Sequence, residues 1–295
     1  MHELAQLVVN GLVTGSVLAM AAVGVTLVYG VLGVVNFAQG DYLTTGAYAA
    51  YVCNVTLGLS IVLSTGVALL AVALLAVVLE FALWRPMRRR RAGTYSVFIT
   101  AIGLALVLRQ LLLLVFGGAS RRFDVDAFGT HRLAGLTLST SQLVAVAIAV
   151  CANVAVGLLL ARTSLGRSMR AYSESADLAG ISGIDPSRVV VWTWAIAGAL
   201  AGLAGVLQAL VQTSFDPGTG YSLLLPVFAA VVLGSIGNAY GALLGGFTLG
   251  VAMQVSTWSG WFGGVPPVYT PVVAFVGLAL VLLVRPQGLL ARTAP

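Results

Sequence analysis

The sequence predicts an all-α polytopic membrane protein of about eight or nine transmembrane segments, with broken helices and a pattern that fits inverted repeats. Three observations lead there. Only 8% of the 295 residues are charged and 59% are hydrophobic, with a mean hydropathy of +1.02, and a soluble domain needs far more charge to cover its surface. The apolar residues fall into repeated runs close to the roughly 20 residues that span a bilayer. Short polar breaks rich in glycine interrupt those runs, one break in each half. No stretch is long or polar enough for a separate soluble domain, so residues 1–295 read as a single transmembrane domain.

The net charge of +6 comes from arginine alone, because lysine is absent. In a membrane chain this excess marks cytoplasmic loops and does not call for nucleic acid. Cys53 and Cys151 sit in or beside apolar runs without metal-ligand spacing and read as small packing residues. The N-terminal stretch lacks a basic region and a small-residue cleavage site, so no cleaved leader is expected.

The first apolar run extends from Leu4 to about Val35 and contains the GxxxG pair Gly11 and Gly15, a spacing that lets another helix approach closely. It ends in Asn36-Phe37-Ala38-Gln39-Gly40-Asp41. That break is either a plain turn or a broken helix lining a path through the membrane. Tyr42 to Leu57 and Ile61 to Trp84 are two further spans joined at Gly58. The run Arg85-Pro86-Met87-Arg88-Arg89-Arg90-Arg91 places the next loop in the cytoplasm. Glu80, just before it, is expected to reach toward or pair with those arginines.

Ser96 to Phe116 carries Arg109 within a span, where a charge is expensive and a functional role is the default reading. The alternative is a position facing the protein interior or near the outer interface. Gly117 to Ser139 is polar and mixed, with Arg121, Arg122, Asp124, Asp126, His131 and Arg132, and lies outside by parity. His131 reads as a solvated loop residue, and His2 is equally uninformative. Ser141 to Ala161 returns the chain to the cytoplasm at Arg162.

The segment from Leu165 to Ser187 is polar yet helical in pattern. Arg167, Arg170 and Glu174 share one helical face, Ala171, Ala176, Leu178 and Ala179 add apolar surface, and Gly180, Gly183 and Asp185-Pro186 end it. It is either a docking helix or an ordinary solvated loop. Val189 to Val211, with the second GxxxG pair Gly198 and Gly202, exits again. Thr213 to Gly220 is the second polar break and contains Asp216. Leu223 to Leu233, short for a span, and Ala242 to Ser256 follow, separated by a glycine-rich turn that holds Asn238. Trp258 and Trp261 suit an interface, and Pro266-Pro267 precedes the last span, Tyr269 to Val284. Arg285 and Arg292 place the C-terminus inside. Nine crossings would put the N-terminus outside and eight would put it inside.

An enzyme reading finds no HExxH, no GxSxG, no His/Cys cluster and no catalytically spaced carboxylates, so no catalytic residue and no metal ligand is expected. An ion-driven transporter would favour acidic residues in mid-span, and only Glu80 comes close. Uptake driven by a proton or sodium gradient in the chain alone would favour it, and co-purification of an ATPase would count against it.

The N-terminal GLVTGSVLAMAAVGVTLVYGVLGVVNFAQGD, the block LGRSMRAYSESADLAGISGIDPSRVV and the C-terminal VLGSIGNAYGALLGGFTLG and RPQGLL resemble the LivH-type permeases of branched-chain amino acid ABC importers over essentially the full length. Urea and short-chain amide importer permeases share these signatures and are the alternative. The resemblance implies a bacterial inner-membrane permease with a cytoplasmic coupling segment, 162–188. It also implies a second, LivM-like permease, two cytoplasmic ATPase subunits and an extracytoplasmic substrate-binding protein. Arg167, Arg170, Glu174, Ala179, Gly180 and Gly183 would then contact an ATPase. Without lysine there is no GxxxxGK[ST] loop, so no cofactor is expected in this chain and ATP would be bound by partners. The residues suited to a small zwitterionic substrate are Asn36, Gln39, Asp41, Arg109, Asp216 and Asn238, although Asp41 and Asp216 equally suit helix caps.

Overall fold

A computed structural model describes residues 2–124, 130–133, 136–259, 265–266, 269–284 and 288. Asp126, Trp261, Pro267, Arg285 to Gln287, Leu289, Leu290 and Arg292, on which parts of the sequence reading fall, lie outside them. The first third comprises α1 (His2–Leu32), α2 (Gln39–Tyr51) with a π-helical turn at Val52–Thr56, α3 (Ile61–Leu79) with a second π-helical turn at Glu80–Trp84, α4 (Arg85–Arg89) and α5 (Thr94–Phe116). A hairpin of β1 (Thr130–Leu133) and β2 (Leu136–Ser139) leads to α6 (Thr140–Arg162), α7 (Ser164–Glu174) and α8 (Ala176–Ile181). The last third is α9 (Pro186–Gln212), α10 (Thr219–Gly234), α11 (Ala239–Val255) and α12 (Thr270–Val284).

Among the described residues, α1, the α3–α4 stretch, α5, α6 and α9 are each long and apolar enough to span a membrane alone. The shorter α2, α10, α11 and α12 lie among them. Packing fixes their directions. Gly11 of α1 meets Val251 of α11 while Gly30 meets Gly237, so those helices are antiparallel. Gly198 meets Ala76 while Gly202 meets Val72 and Ala68, so α9 and α3 are antiparallel too. With the arginine run after α3 in the cytoplasm, α9 runs outward, α11 runs outward and α1 runs inward. Counted with the five long helices, the four short ones would bring the described residues to nine crossings, the alternative that goes with an outside N-terminus.

The contacts repeat with opposite polarity. The pair α1 and α11 has its counterpart in α9 and α3, α2 against α3 in α10 against α11, and α2 against α5 in α10 against α12. The elements α1, α2, α3 and α5 therefore map onto α9, α10, α11 and α12 as an inverted repeat, the arrangement the two polar breaks suggest. The two central helices are buried on most sides, through residues such as Met20 and Val28 of α1 and Trp194 and Leu207 of α9. In lipid no hydrophobic force presses helices together, and contact rests on close van der Waals packing. Small residues provide it: a Cβ on Gly15 would lie 2.9 Å from the Phe247 Cα. By contrast Leu70, Leu74, Leu114 and Val115 turn large side chains outward.

Two features depart from the sequence reading. The third span does not run as an α-helix to Trp84. Pro86 cannot donate to the carbonyl four residues back and its ring crowds that carbonyl, so the ladder widens into the π-turn. There Glu80, 2% exposed, binds Arg88 through two hydrogen bonds, as its position suggests. The outer segment after α5 holds the antiparallel hairpin, in register Thr130 with Ser139 and Leu133 with Leu136. Arg121 and Phe215 exchange backbone hydrogen bonds of 2.8 and 2.9 Å, which tie this segment to the second break.

Gly220 opens α10 against Gly40 of α2, and a Cβ there would lie 1.8 Å from the Gly40 carbonyl oxygen. Gly66 on α3 has no neighbour within 4 Å of such a Cβ. Gly220→Ala is expected to destabilise the protein by about 1–3 kcal/mol or more through overpacking against rigid backbone. Gly66→Ala is expected to be neutral or stabilising by roughly 0.5–1 kcal/mol. Thermal unfolding of the detergent-purified variants checks both, and equal midpoints would refute the crossing.

Candidate functional site

The first polar break has a defined internal structure. After Gly33, which has φ of +67°, the Asn36 carboxamide oxygen accepts the Ala38 N–H at 3.1 Å and its Nδ2 donates to Gln39 Oε1 at 3.4 Å. Gln39 Nε2 in turn donates to the Ala197 carbonyl of α9 at 3.5 Å. A short polar network thus pins the start of α2 to a central helix, with Asn36, Gln39 and Asp41 all at most 1% exposed.

The second break has its own turn. Asp216 Oδ1 accepts the Gly218 N–H at 2.6 Å, and Thr219 Oγ1 accepts the Asp216 N–H at 2.9 Å. Asp216 therefore shapes the approach to α10. The two breaks deliver α2 and α10 to one crossing at Gly40 and Gly220, and the Gly220 N–H donates to Thr44 Oγ1 at 3.0 Å. The residue after each crossing glycine meets the same guanidinium. Arg109 Nε of α5 lies 3.3 Å from Asp41 Oδ1, and its guanidinium carbon sits 4.0 Å from the Tyr221 ring centroid.

Arg109 is thus held between the two halves of the repeat, paired on one side and stacked on the other. Asp41 Oδ2 has no hydrogen-bond partner among the described residues. Tyr221 remains 59% exposed, so this locus opens to the surface on its α10 side. The structure gathers four of the sequence candidates, Asn36, Gln39, Asp41 and Arg109. It places Asp216 in the neighbouring turn. Asn238 lies at the opposite end of α10, where it caps α11 by accepting the Tyr240 and Gly241 N–H groups at 3.1 and 3.2 Å. The sequence reading missed Thr44 and Tyr221. Their signal was proximity to the breaks: each lies within a few residues of Gly40 or Gly220.

The cytoplasmic segment is not one short helix but two. Ser175 adopts an extended conformation after α7, and its Oγ accepts the Leu178 N–H at 3.3 Å to cap α8. Gly166 packs on the Leu160 backbone and Met169 is 1% exposed, so α7 folds tightly back beneath the bundle. Arg170 donates to the Leu160 carbonyl. Arg170 and Glu174 line a cavity of about 500 Å³ with Leu27 and Val31 of α1 and Asn238 and Tyr240 at the start of α11. Arg167 and Gly180 are exposed, and Gly183, with φ of +84°, ends α8. Ala179 is only 4% exposed and points into the protein, so its methyl group is not presented to a partner. Leu178 and Ile181 face outward instead.

Comparison with known proteins agrees with this architecture. A family model described as the permease component of branched-chain amino acid transport systems matches residues 7–284. The high-affinity branched-chain amino acid transport system permease protein BraD of Pseudomonas aeruginosa is 32% identical over 305 residues, covering 99% of this chain and 96% of that protein. The corresponding permease protein LivH of Escherichia coli is 30% identical over 298 residues, covering 96% and 94%. Among solved structures, PsaBC from Streptococcus pneumoniae in complex with a Fab aligns with a TM-score of 0.51 at 16% identity, over 94% of this chain and 91% of that one. At that identity the likeness concerns the fold alone. The five long apolar helices among the described residues and the near-complete match together show that this multi-pass inner-membrane chain belongs to the family of branched-chain amino acid transport system permease components.

Proposed function

We propose that this chain is the permease subunit of an ABC importer for branched-chain or other neutral, hydrophobic amino acids. The observation that carries the reading is the Asp41–Arg109 pair at the crossing of two broken helices, in a chain whose relatives are such permeases along nearly their whole length. A zwitterion needs one cationic and one anionic contact, and a branched side chain needs apolar walls. Arg109 offers the first to the substrate carboxylate and Tyr221 an apolar face beside it, while Asp41 Oδ2, buried in this conformation, offers the second to the ammonium once the crossing opens. The N–H groups at the start of a broken helix add partial positive charge without a further side chain.

In this reading the chain pairs with a LivM-like permease and receives substrate from an extracytoplasmic binding protein. Residues 162–188 form the coupling segment of the single transmembrane domain. Leu178 and Ile181 insert into an ATPase subunit, while Arg167, Arg170, Glu174, Gly180 and Gly183 shape and charge the same protrusion. Two such subunits hydrolyse ATP, since this chain has no lysine and no phosphate-binding loop.

Three expected outcomes test the proposal. In liposomes the chain alone should not accumulate labelled leucine. With its partner subunits it should do so only with ATP, and excess urea or acetamide should not compete. ATP-independent uptake by the single chain, or competition by the amide, would refute the reading.

Ile181→Asp should leave folding within about 0.5 kcal/mol, because Ile181 is 85% exposed. It should weaken ATPase association by roughly a hundredfold, since an unpaired carboxylate forced into an interface loses about 3 kcal/mol. Pull-down of the ATPase subunits reads the difference, and wild-type recovery would move the docking role elsewhere.

Arg109→Leu leaves the Asp41 carboxylate buried and uncompensated. It should lower stability by about 3–5 kcal/mol and abolish transport. Asp41→Asn combined with Arg109→Leu should recover much of the stability but none of the transport. Recovery of both would make the pair purely structural.

A further inference from the structure

The cytoplasmic end of α3 carries a feature that the transport reading does not use. Leu70, Leu74, Val78 and Phe81 recur at helical spacing, and each is at least 48% exposed, so they form a stripe toward the acyl chains. Arg85 continues that stripe one turn later, with its guanidinium carbon 5.2 Å from the Phe81 ring centroid. Beside it opens a cavity of about 140 Å³, lined by Arg85 and Arg88, Tyr172 of α7, and Pro186, Ser187, Val190 and Val191 at the start of α9.

The charges here do not cancel. Glu80 also lines the cavity but is bound to Arg88, and nearby Asp185 is paired with Arg188 at 3.3 Å. Among the described residues, no carboxylate lies within ion-pair distance of Arg85, Arg89, Arg90 or Arg91. The start of the 27-residue helix α9 lines the same space but is capped by Asp185, whose Oδ1 accepts the Ser187 N–H at 2.9 Å, so the charge left over is that of the arginines. An unneutralised basic cluster directly below a lipid-facing stripe matches an amphipathic anion, with its charge at headgroup depth and its tail along α3.

We propose that this cavity seats the phosphate of an anionic phospholipid whose acyl chains lie along the Leu70–Phe81 stripe. The cavity wall comes from the α3 end, α7 and α9 together. The bound headgroup therefore joins the basic turn to the cytoplasmic segment, and the acyl stripe explains why a lipid suits the site better than a soluble anion.

The test is native mass spectrometry of the delipidated chain, purified with the subunits that accompany it and titrated with phosphatidylglycerol or phosphatidylcholine. Phosphatidylglycerol should be retained in preference. Arg85→Gln should weaken its retention about fivefold, the loss expected for one basic residue near an anionic surface. Arg85→Lys should keep retention near wild type, which separates loss of charge from misfolding. Arg162→Gln, an exposed arginine outside the cavity, should change nothing. Equal retention of the two lipids, or unchanged retention in Arg85→Gln, would overturn the proposal. So would displacement of the lipid by millimolar inorganic phosphate, which would mark a soluble-anion site. Loss of an accompanying subunit from Arg85→Gln with lipid retention intact would make this a protein interface and equally overturn it.

Discussion

The backbone contact between Gly40 and Gly220 is the constraint from which the candidate site follows. At this crossing the helices have no side chains between them, and a single methyl group would occupy the space of a carbonyl oxygen. Once the two backbones touch, the residues that follow are placed without further choice. Asp41 and Tyr221 emerge on the two sides of one point, and Arg109 fills it with a contact to each. Thr44 reaches across to the Gly220 N–H, which would otherwise lack a helical partner at the start of α10. In a membrane that orphan donor would cost several kcal/mol. The crossing therefore demands a hydroxyl close to where Thr44 stands.

The ion pair makes sense only in that frame. A buried pair is weak support for stability, because desolvation offsets most of the attraction. Had selection acted on packing alone, two apolar residues would have served as well. Glu80 and Arg88 make a useful contrast. Their pair lies at the cytoplasmic end, where Arg88 keeps a third of its side chain exposed, and it closes the π-turn that Pro86 enforces. Asp41 and Arg109 sit deeper, with one carboxylate oxygen unpartnered and the guanidinium stacked on an exposed ring. The first pair has a sufficient local explanation, whereas the second does not.

Much of the fold was legible because the bilayer demands it. Apolar runs mark the spans, arginines mark the cytoplasmic side, and polar residues inside a run mark a break. Even the Glu80 pairing follows from its place ahead of the arginine run. What sequence could not supply was contact between distant elements. Asp41 and Arg109 are 68 positions apart, and only the crossing explains why they meet. The coplanar stack of Trp84 on Trp194 at 5.5 Å is hidden for the same reason. Local competition hid the rest. Ser175 reads as a tolerable helix residue, yet its hydroxyl offers the Leu178 N–H a cap, and the helix breaks there. With the break, the rotation of α8 changes, and Ala179 turns inward while Leu178 and Ile181 turn out.

The repeat is inverted, but its two halves are not equivalent, and the differences fall where asymmetry is useful. Arg109 belongs to α5, whereas its counterpart α12 carries no charged residue. One half thus supplies the guanidinium and the other an aromatic wall. The insertion of α6, α7 and α8 between the halves adds the second asymmetry. Helix α7 is anchored by Met169 against the cytoplasmic end of α1 and by the fold of Gly166 onto α6. The same end of α1 runs directly into Asn36 and Gln39, which hold α2 in place beside Asp41. The route from the protruding Ile181 to the buried carboxylate thus runs through α7, which touches α1 beside the cavity of about 500 Å³ between them, and on through the Asn36 and Gln39 hydrogen bonds. The asymmetric insertion therefore touches the same end of α1 that leads into the first break, which places the cytoplasmic segment and the crossing on one helix.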